Sequence, residues 1–151
     1  MATYSFLDCL ASLTGPGGII NLGSGSGAAK EGITIDTKEE KNAQVVGADG
    51  QIMNSLRASQ AVRITVRVLK TSPVNALLSA MFNFQRQSSS VWGQNVLAVS
   101  DIARGDVTIA TQVAFAKPAP ITYSEDANIN EWLFDGTADT QLGTGIPNRN
   151  V

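Results

Sequence analysis

The sequence predicts a mainly β domain with one α-helix, built as a β-sandwich or a partly open barrel. Two observations carry that prediction. Several segments alternate apolar and polar residues with period two, as strands that bury one face do. One segment alone, TSPVNALLSAMFNFQRQ from Thr71 to Gln87, repeats its apolar residues with the helical period. At 151 residues the chain is the size of one ordinary domain, 1–151, large enough to bury a core without disulfides or metal.

Taken in order, residues 1–14 predict a first strand, with Tyr4, Phe6, Asp8 and Leu10 on one side and Leu7, Cys9 and Ala11 on the other. Gly15-Pro16-Gly17-Gly18 turns the chain into a short second strand at Ile19–Leu22. The glycine-serine run Gly23-Ser24-Gly25-Ser26-Gly27 follows. Residues 33–38 alternate, with Ile33 and Ile35 facing inward and Thr34, Asp36 and Lys38 outward. Residues 39–60 change character: a polar stretch carries Val45, Val46, Ile52, Met53 and Leu56 around a turn at Gly47–Gly50. Such a segment takes its order from something it touches, and it predicts a long hairpin or excursion projecting from the domain.

Residues 61–70 give the clearest strand, Val62, Ile64, Val66 and Val68 against Arg63, Thr65 and Arg67. In the helix, Thr71 or Ser72 caps, Pro73 suits the first turn, and Val74, Leu77, Leu78, Met81 and Phe82 form one apolar stripe that lies across a sheet. Strands follow at 91–100 and, after a turn at Ala103–Asp106, at 107–116. There Val107, Ile109, Val113 and Phe115 oppose Thr108, Ala110, Gln112 and Ala114. Pro118 and Pro120 end that strand. Two short strands are expected at 121–124 and 129–134, and residues 137–151 read as a C-terminal arm. Trp92 and Trp132 are expected in or near the core.

The composition narrows the chemistry. There is no histidine, which removes the usual general base, zinc ligand and nucleophile partner. Cys9 is the only cysteine and reads as a buried small hydrophobe in a reducing compartment. Net charge is −2 with the signs mixed, so no basic stripe marks a nucleic-acid binder. A phosphate loop needs a strand before it and a helix after it, whereas the glycine-serine run has strands on both sides and fits no nucleotide spacing. It reads as a compliant turn that lets strands meet closely. MATYSFLDCL lacks the basic start and apolar run of a secretory signal, and no stretch reaches the roughly 18–20 apolar residues of a membrane span. Assembly in the cytoplasm is the expectation. No cofactor and no enzymatic activity are expected. Arg63 and Arg67 are expected to pair with acids such as Asp36.

Several stretches together resemble the tail tube proteins of contractile-tailed bacteriophages and related prophages. These are MATYSFLD, GPGG, NLGSGSG and KEGITI at the start, VRVLKTSPVNALLSAMFNFQ in the middle, and SSSVWGQNVLAV and NEWLFDGTADTQLGTG later. The most specific piece is Leu69–Asn83, and none of them is a catalytic motif. The resemblance implies a structural virion protein that forms hexameric rings stacked into a hollow tube inside a contractile sheath. Sheets of neighbouring subunits join into a continuous inner barrel, through which DNA passes without sequence-specific binding. It implies as partners the chain itself, the tail sheath protein, the tape measure protein and baseplate or terminator proteins, with assembly in the host cytoplasm and residence in the virion tail.

Placed on this chain, residues 39–60 become the inter-ring loop, with Val45, Val46, Asp49, Ile52 and Met53 as contacts. The lumen face falls on Thr34, Asp36, Lys38, Arg63, Thr65, Arg67, Thr108 and Gln112. Other readings are a different ring-forming tube or tail protein of the same fold (secretion-system tube, tail terminator or baseplate component) and, more remotely, a carbohydrate-binding or hydrolytic β-sandwich using a carboxylate pair.

Overall fold

The structure, a computed structural model, describes residues 3–25 and 27–143. Among the described residues nine strands and one α-helix follow a short 3₁₀ turn at Phe6–Asp8. The strands are β1 (Cys9–Gly15), β2 (Gly18–Asn21), β3 (Ala28–Thr37), β4 (Asn42–Val46), β5 (Ile52–Leu56) and β6 (Ala61–Leu69), then β7 (Asn95–Asp101), β8 (Asp106–Lys117) and β9 (Ile129–Gln141). The helix α1 (Val74–Gln85) lies between β6 and β7. Seven strands form one antiparallel sheet in the order β2-β1-β7-β8-β9-β6-β3, while β4 and β5 pair only with each other. The sheet curls without closing. Cys9 of β1 and Val99 of the adjacent β7 line one cleft with Ile33 and Ile35 of β3, although β3 stands at the opposite end of the sheet order.

The inner face holds the core. Ile64 opposes Phe134 and Val66 opposes Trp132 across β6 and β9; Phe134 opposes Phe115 on β8, and Leu13 opposes Leu97 on β1 and β7. All seven are buried, together with Val74, Leu78 and Met81 of α1. Each such side chain contributes about 1.5–3 kcal/mol by leaving water. Phe82 of α1 meets Phe115 edge-on at 5.6 Å, and Phe115 in turn meets Trp132 at 6.2 Å. The helix starts where the sequence places it: the Ser72 hydroxyl accepts a hydrogen bond from the Val74 amide at 3.2 Å.

Several expectations change. The first strand begins at Cys9 because Ser5 caps the 3₁₀ turn that takes Phe6–Asp8. Residues 121–124 form no strand, whereas 129–141 form one long strand; Thr137–Gln141, read from sequence as the start of an arm, pair with Val107–Thr111 of β8. The rest of that arm, 144–151, lies outside the described residues. Leu77, placed on the helix stripe, is exposed, and Gln85 is buried in its stead. Trp132 is in the core as expected, while Trp92 is partly exposed and edge-on to Phe82.

The largest correction concerns β8. Its pairing with β9 slips between Thr111 and Ala114, and Gln112 takes φ 54° there. This bulge inserts one residue and reverses the phase of the strand. Val113 and Phe115 face the core as expected, but before the bulge Thr108 and Ala110 face it too, and Val107 and Ile109 turn outward. On the facing strand the bulge presses on Gly136: a Cβ there would stand 2.8 Å from Val113 Cγ2 and 3.1 Å from the Thr111 carbonyl.

The glycine-serine run connects β2 to β3, with no helix after it. The Leu22 amide donates to the Ala11 carbonyl and the Ser24 amide to the Cys9 carbonyl, so the chain continues to hug β1. A Cβ on Gly23 would lie 2.6 Å from the Ala11 nitrogen. Close backbone approach is thus the reason for that glycine, and the neighbour it approaches is the chain's own first strand.

Candidate functional site

Two surfaces stand out: the β4–β5 hairpin and the outer face of the sheet. In the hairpin Val45 opposes Met53 and Val46 opposes Ile52. Successive residues of a strand point to opposite faces, so each face of this ribbon carries one apolar cross-strand pair. All four side chains are more than half exposed, and Leu56 is 89% exposed. The turn is well made. The Gly47 amide donates to the Gln51 carbonyl at 2.7 Å, and the Asp49 carboxylate accepts from the Gln51 amide at 3.1 Å. Asp49 therefore holds the tip in shape. No hairpin residue joins the buried core, so beyond the ribbon itself its apolar side chains stabilise nothing among the described residues.

The outer face divides in two. Across β3, β6 and β9 it is charged and cross-linked. Asp135 accepts from Arg63 at 3.1 and 3.4 Å and pairs with Lys38 at 2.9 Å. Arg67 donates to the Thr34 hydroxyl at 2.8 Å and lies 3.5 Å from the Glu131 carboxylate. Burial pushes the Asp135 carboxyl up, but hydrogen bonds from Arg63 and Lys38, and their charge, outweigh it and hold the group below the usual carboxylate range. Across β1, β2, β7 and β8 the same face is largely apolar. Leu10, Ile19, Val96, Val107 and Ile109 are all exposed there.

Six of the eight residues assigned to a common polar face share it: Thr34 and Asp36 on β3, Lys38 just beyond, and Arg63, Thr65 and Arg67 on β6. Thr65 is itself buried. Thr108 and Gln112 do not belong with them. Thr108 is buried on the inner face, where its hydroxyl meets that of Thr140 at 3.2 Å, and Gln112 occupies the bulge. The acids that neutralise the arginines are Asp135 and Glu131; Asp36 stands opposite Arg63 in register. Sequence reasoning missed both because they lie on a distant strand, and only the β6–β9 register brings them into reach.

Among the described residues no group of three or more His, Cys, Asp or Glu side chains converges as a metal site would require. No described helix is long and apolar enough to cross a membrane.

The family model for the Bacteriophage PhiTE tail tube protein matches residues 1–143. The chain belongs to this tail tube family. Membership gives it a structural tube role and confirms the resemblance seen in the sequence. Two solved structures share the fold of this tail tube chain. One is a tube-containing assembly, the sheath-tube complex of the extracellular contractile injection system PVC in its extended state. It matches at 15% identity and TM-score 0.55, over 93% of this chain and 92% of that one. The other is the tube-terminating cap of the anti-feeding prophage, at 14% identity and TM-score 0.56, over 95% of both chains. No curated protein matches the chain. The mainly β, one-helix class holds for the tail tube chain as an open, curled antiparallel sheet.

Proposed function

We propose that copies of this chain close into hexameric rings and that the rings stack into the hollow tube of a contractile phage tail. DNA is delivered through that tube into the host cell. The observation that carries this reading is the β4–β5 hairpin: an ordered ribbon with an exposed apolar pair on each face and nothing among the described residues to cover either. A ribbon of that kind inserts between bodies rather than lying on one, and contiguous exposed apolar surface marks association. Val45, Val46, Ile52 and Met53 supply the ring-to-ring contact, and Asp49 shapes its tip. The exposed apolar half of the outer face becomes buried in the ring, and sheets of neighbours join there.

The lumen is lined by Thr34, Asp36, Lys38, Arg63 and Arg67. Its cations are already matched by Asp135 and Glu131, so a passing polyanion meets little free positive charge. The sheath protein surrounds the tube, a tape measure protein occupies it during assembly, and baseplate and terminator proteins bind its ends. The tube needs no cofactor and carries out no catalysis, and it assembles in the host cytoplasm.

Negative-stain microscopy of the purified protein is the test. Rings and stacked tubes are expected, and a strict monomer at high concentration overturns the proposal. The likeness to a tube-terminating cap favours a second reading, a terminator; single rings that never stack would select it.

A further inference from the structure

The hairpin is not an independent lobe. It prolongs the β3–β6 pair, since β3 leads into β4 and β5 leads into β6. Between the two ladders lies a root, residues 38–41 on one arm and 57–60 on the other, that belongs to neither. Two backbone bonds cross it: the Lys38 amide donates to the Ala61 carbonyl at 3.0 Å and the Arg57 amide to the Lys41 carbonyl at 2.8 Å. The Lys41 ammonium also donates to the Ser59 carbonyl. These bonds join one arm of the root to the other. The Lys38 bond reaches β6 itself, and the Ala138 amide of β9 donates to the Gln60 carbonyl at 3.2 Å, so backbone holds the root where it meets the sheet, while no hairpin side chain packs into the core.

The side-chain tie from the root to the sheet is an ion cluster. Asp135 sits on β9, in register with Arg63 on the adjacent β6. Its carboxylate takes the Arg63 guanidinium and also the Lys38 ammonium, at 2.9 Å. Lys38 is the first residue beyond β3, at the foot of the hairpin. One carboxylate thus joins β9, β6 and the root. Other charges around it do not substitute. Asp36 faces Arg63 from the far side, Glu131 is engaged by Arg67, and the residue opposite Asp135 on β8 is the uncharged Ala114.

We propose that Asp135 is a positioning residue for ring stacking: by holding Lys38 against Arg63 it fixes the angle at which the hairpin leaves the sheet. This rests on the hairpin being the stacking element. A partly exposed cluster of this kind is worth about 1 kcal/mol at most. That adds little to global stability but changes the population of one hairpin orientation about fivefold.

The test uses the full chain with Cys9→Ala, Gln51→Cys and Ser79→Cys, spin-labelled at the hairpin turn and on the exposed side of α1 and diluted with unlabelled protein. A narrow distance distribution is expected. Asp135→Asn and Lys38→Met should both broaden it, and Asp135→Glu should restore it. The same two variants should raise the protein concentration needed for tube formation about fivefold, with unchanged circular dichroism. An unchanged distance distribution in Asp135→Asn overturns the clamp. A broadened distribution with undiminished tube formation upholds the clamp and overturns its role in stacking.

Discussion

Gln85 and Asn95 exchange two amide hydrogen bonds, at 2.7 and 2.9 Å, in a site where neither residue has any exposed surface. Gln85 ends the helix and Asn95 begins β7, and the Gln85 amide donates in addition to the Pro16 carbonyl in the β1–β2 turn at 2.8 Å. Helix, sheet and turn thus meet on one polar pair inside an otherwise apolar core.

Breaking that pair leaves buried polar atoms unsatisfied. Asn95→Ala leaves the Gln85 side-chain oxygen without its donor and is expected to cost about 2–4 kcal/mol, read from urea unfolding of the unassembled subunit. Gln85→Met combined with Asn95→Leu should recover part of the loss, because both polar partners then go together. A double mutant less stable than the sum of its parents would refute this account.

The two faces of the hairpin separate folding from assembly. Val45→Asp with Met53→Asp loads one face, and Val46→Asp with Ile52→Asp loads the other. Because all four side chains are exposed in the subunit, either pair should lower its stability by no more than about 1 kcal/mol, the worth of one cross-strand pair. Each pair alone should abolish stacked tubes under the microscope. If one pair is silent, the ribbon is covered on a single side only.

Gln112 holds a left-handed conformation that non-glycine residues adopt reluctantly. Gln112→Gly is expected to leave stability unchanged or raise it by up to about 1 kcal/mol, whereas Gln112→Val should lower it by about 1–2 kcal/mol. Thermal denaturation of the two variants side by side decides whether the bulge is as strained as its φ angle implies.

Asp135 gives a pH signature with a definite sign. Its carboxyl is held below the ordinary range when folded, so its contribution is full above the unfolded value of about 4 and is lost as pH falls through the lower folded value. The partners are partly exposed, which keeps the effect under about 1 kcal/mol. Stability measured between about pH 5 and pH 2 should fall less steeply in Asp135→Asn than in the native chain. Identical slopes would remove Asp135 from the pH dependence.

What the sequence discloses here follows physical range. The strand at 61–69 and the helix at 74–85 declare themselves because their period is local, and so does the hairpin turn at Gly47–Gly50. Thr137–Gln141 hide because GTADTQ has little strand preference of its own; its ladder is imposed by β8, with β6 reaching only to Thr137. The bulge at Gln112 hides for the same reason, and with it the true facing of Val107 and Thr108. The exposed apolar residues of the hairpin could be picked out as side chains without a local purpose. The partners of Arg63 and Lys38 could not, since Asp135 reaches them only through strand register.

The sheet order sets a timetable. β9 is the last of the described strands to be made, yet it lies in the interior of the sheet, hydrogen-bonded to β8 on one side and β6 on the other. Before residues 129–141 arrive, the chain holds two unconnected fragments, β2-β1-β7-β8 and β6-β3, each with an apolar face and a raw edge. A nascent subunit therefore cannot finish folding until its final strand has been synthesised and slots between them, and contacts so distant along the chain form slowly. Polymerisation is thereby withheld from partial chains: the shape that a neighbour would recognise does not exist until translation of the described strands is complete.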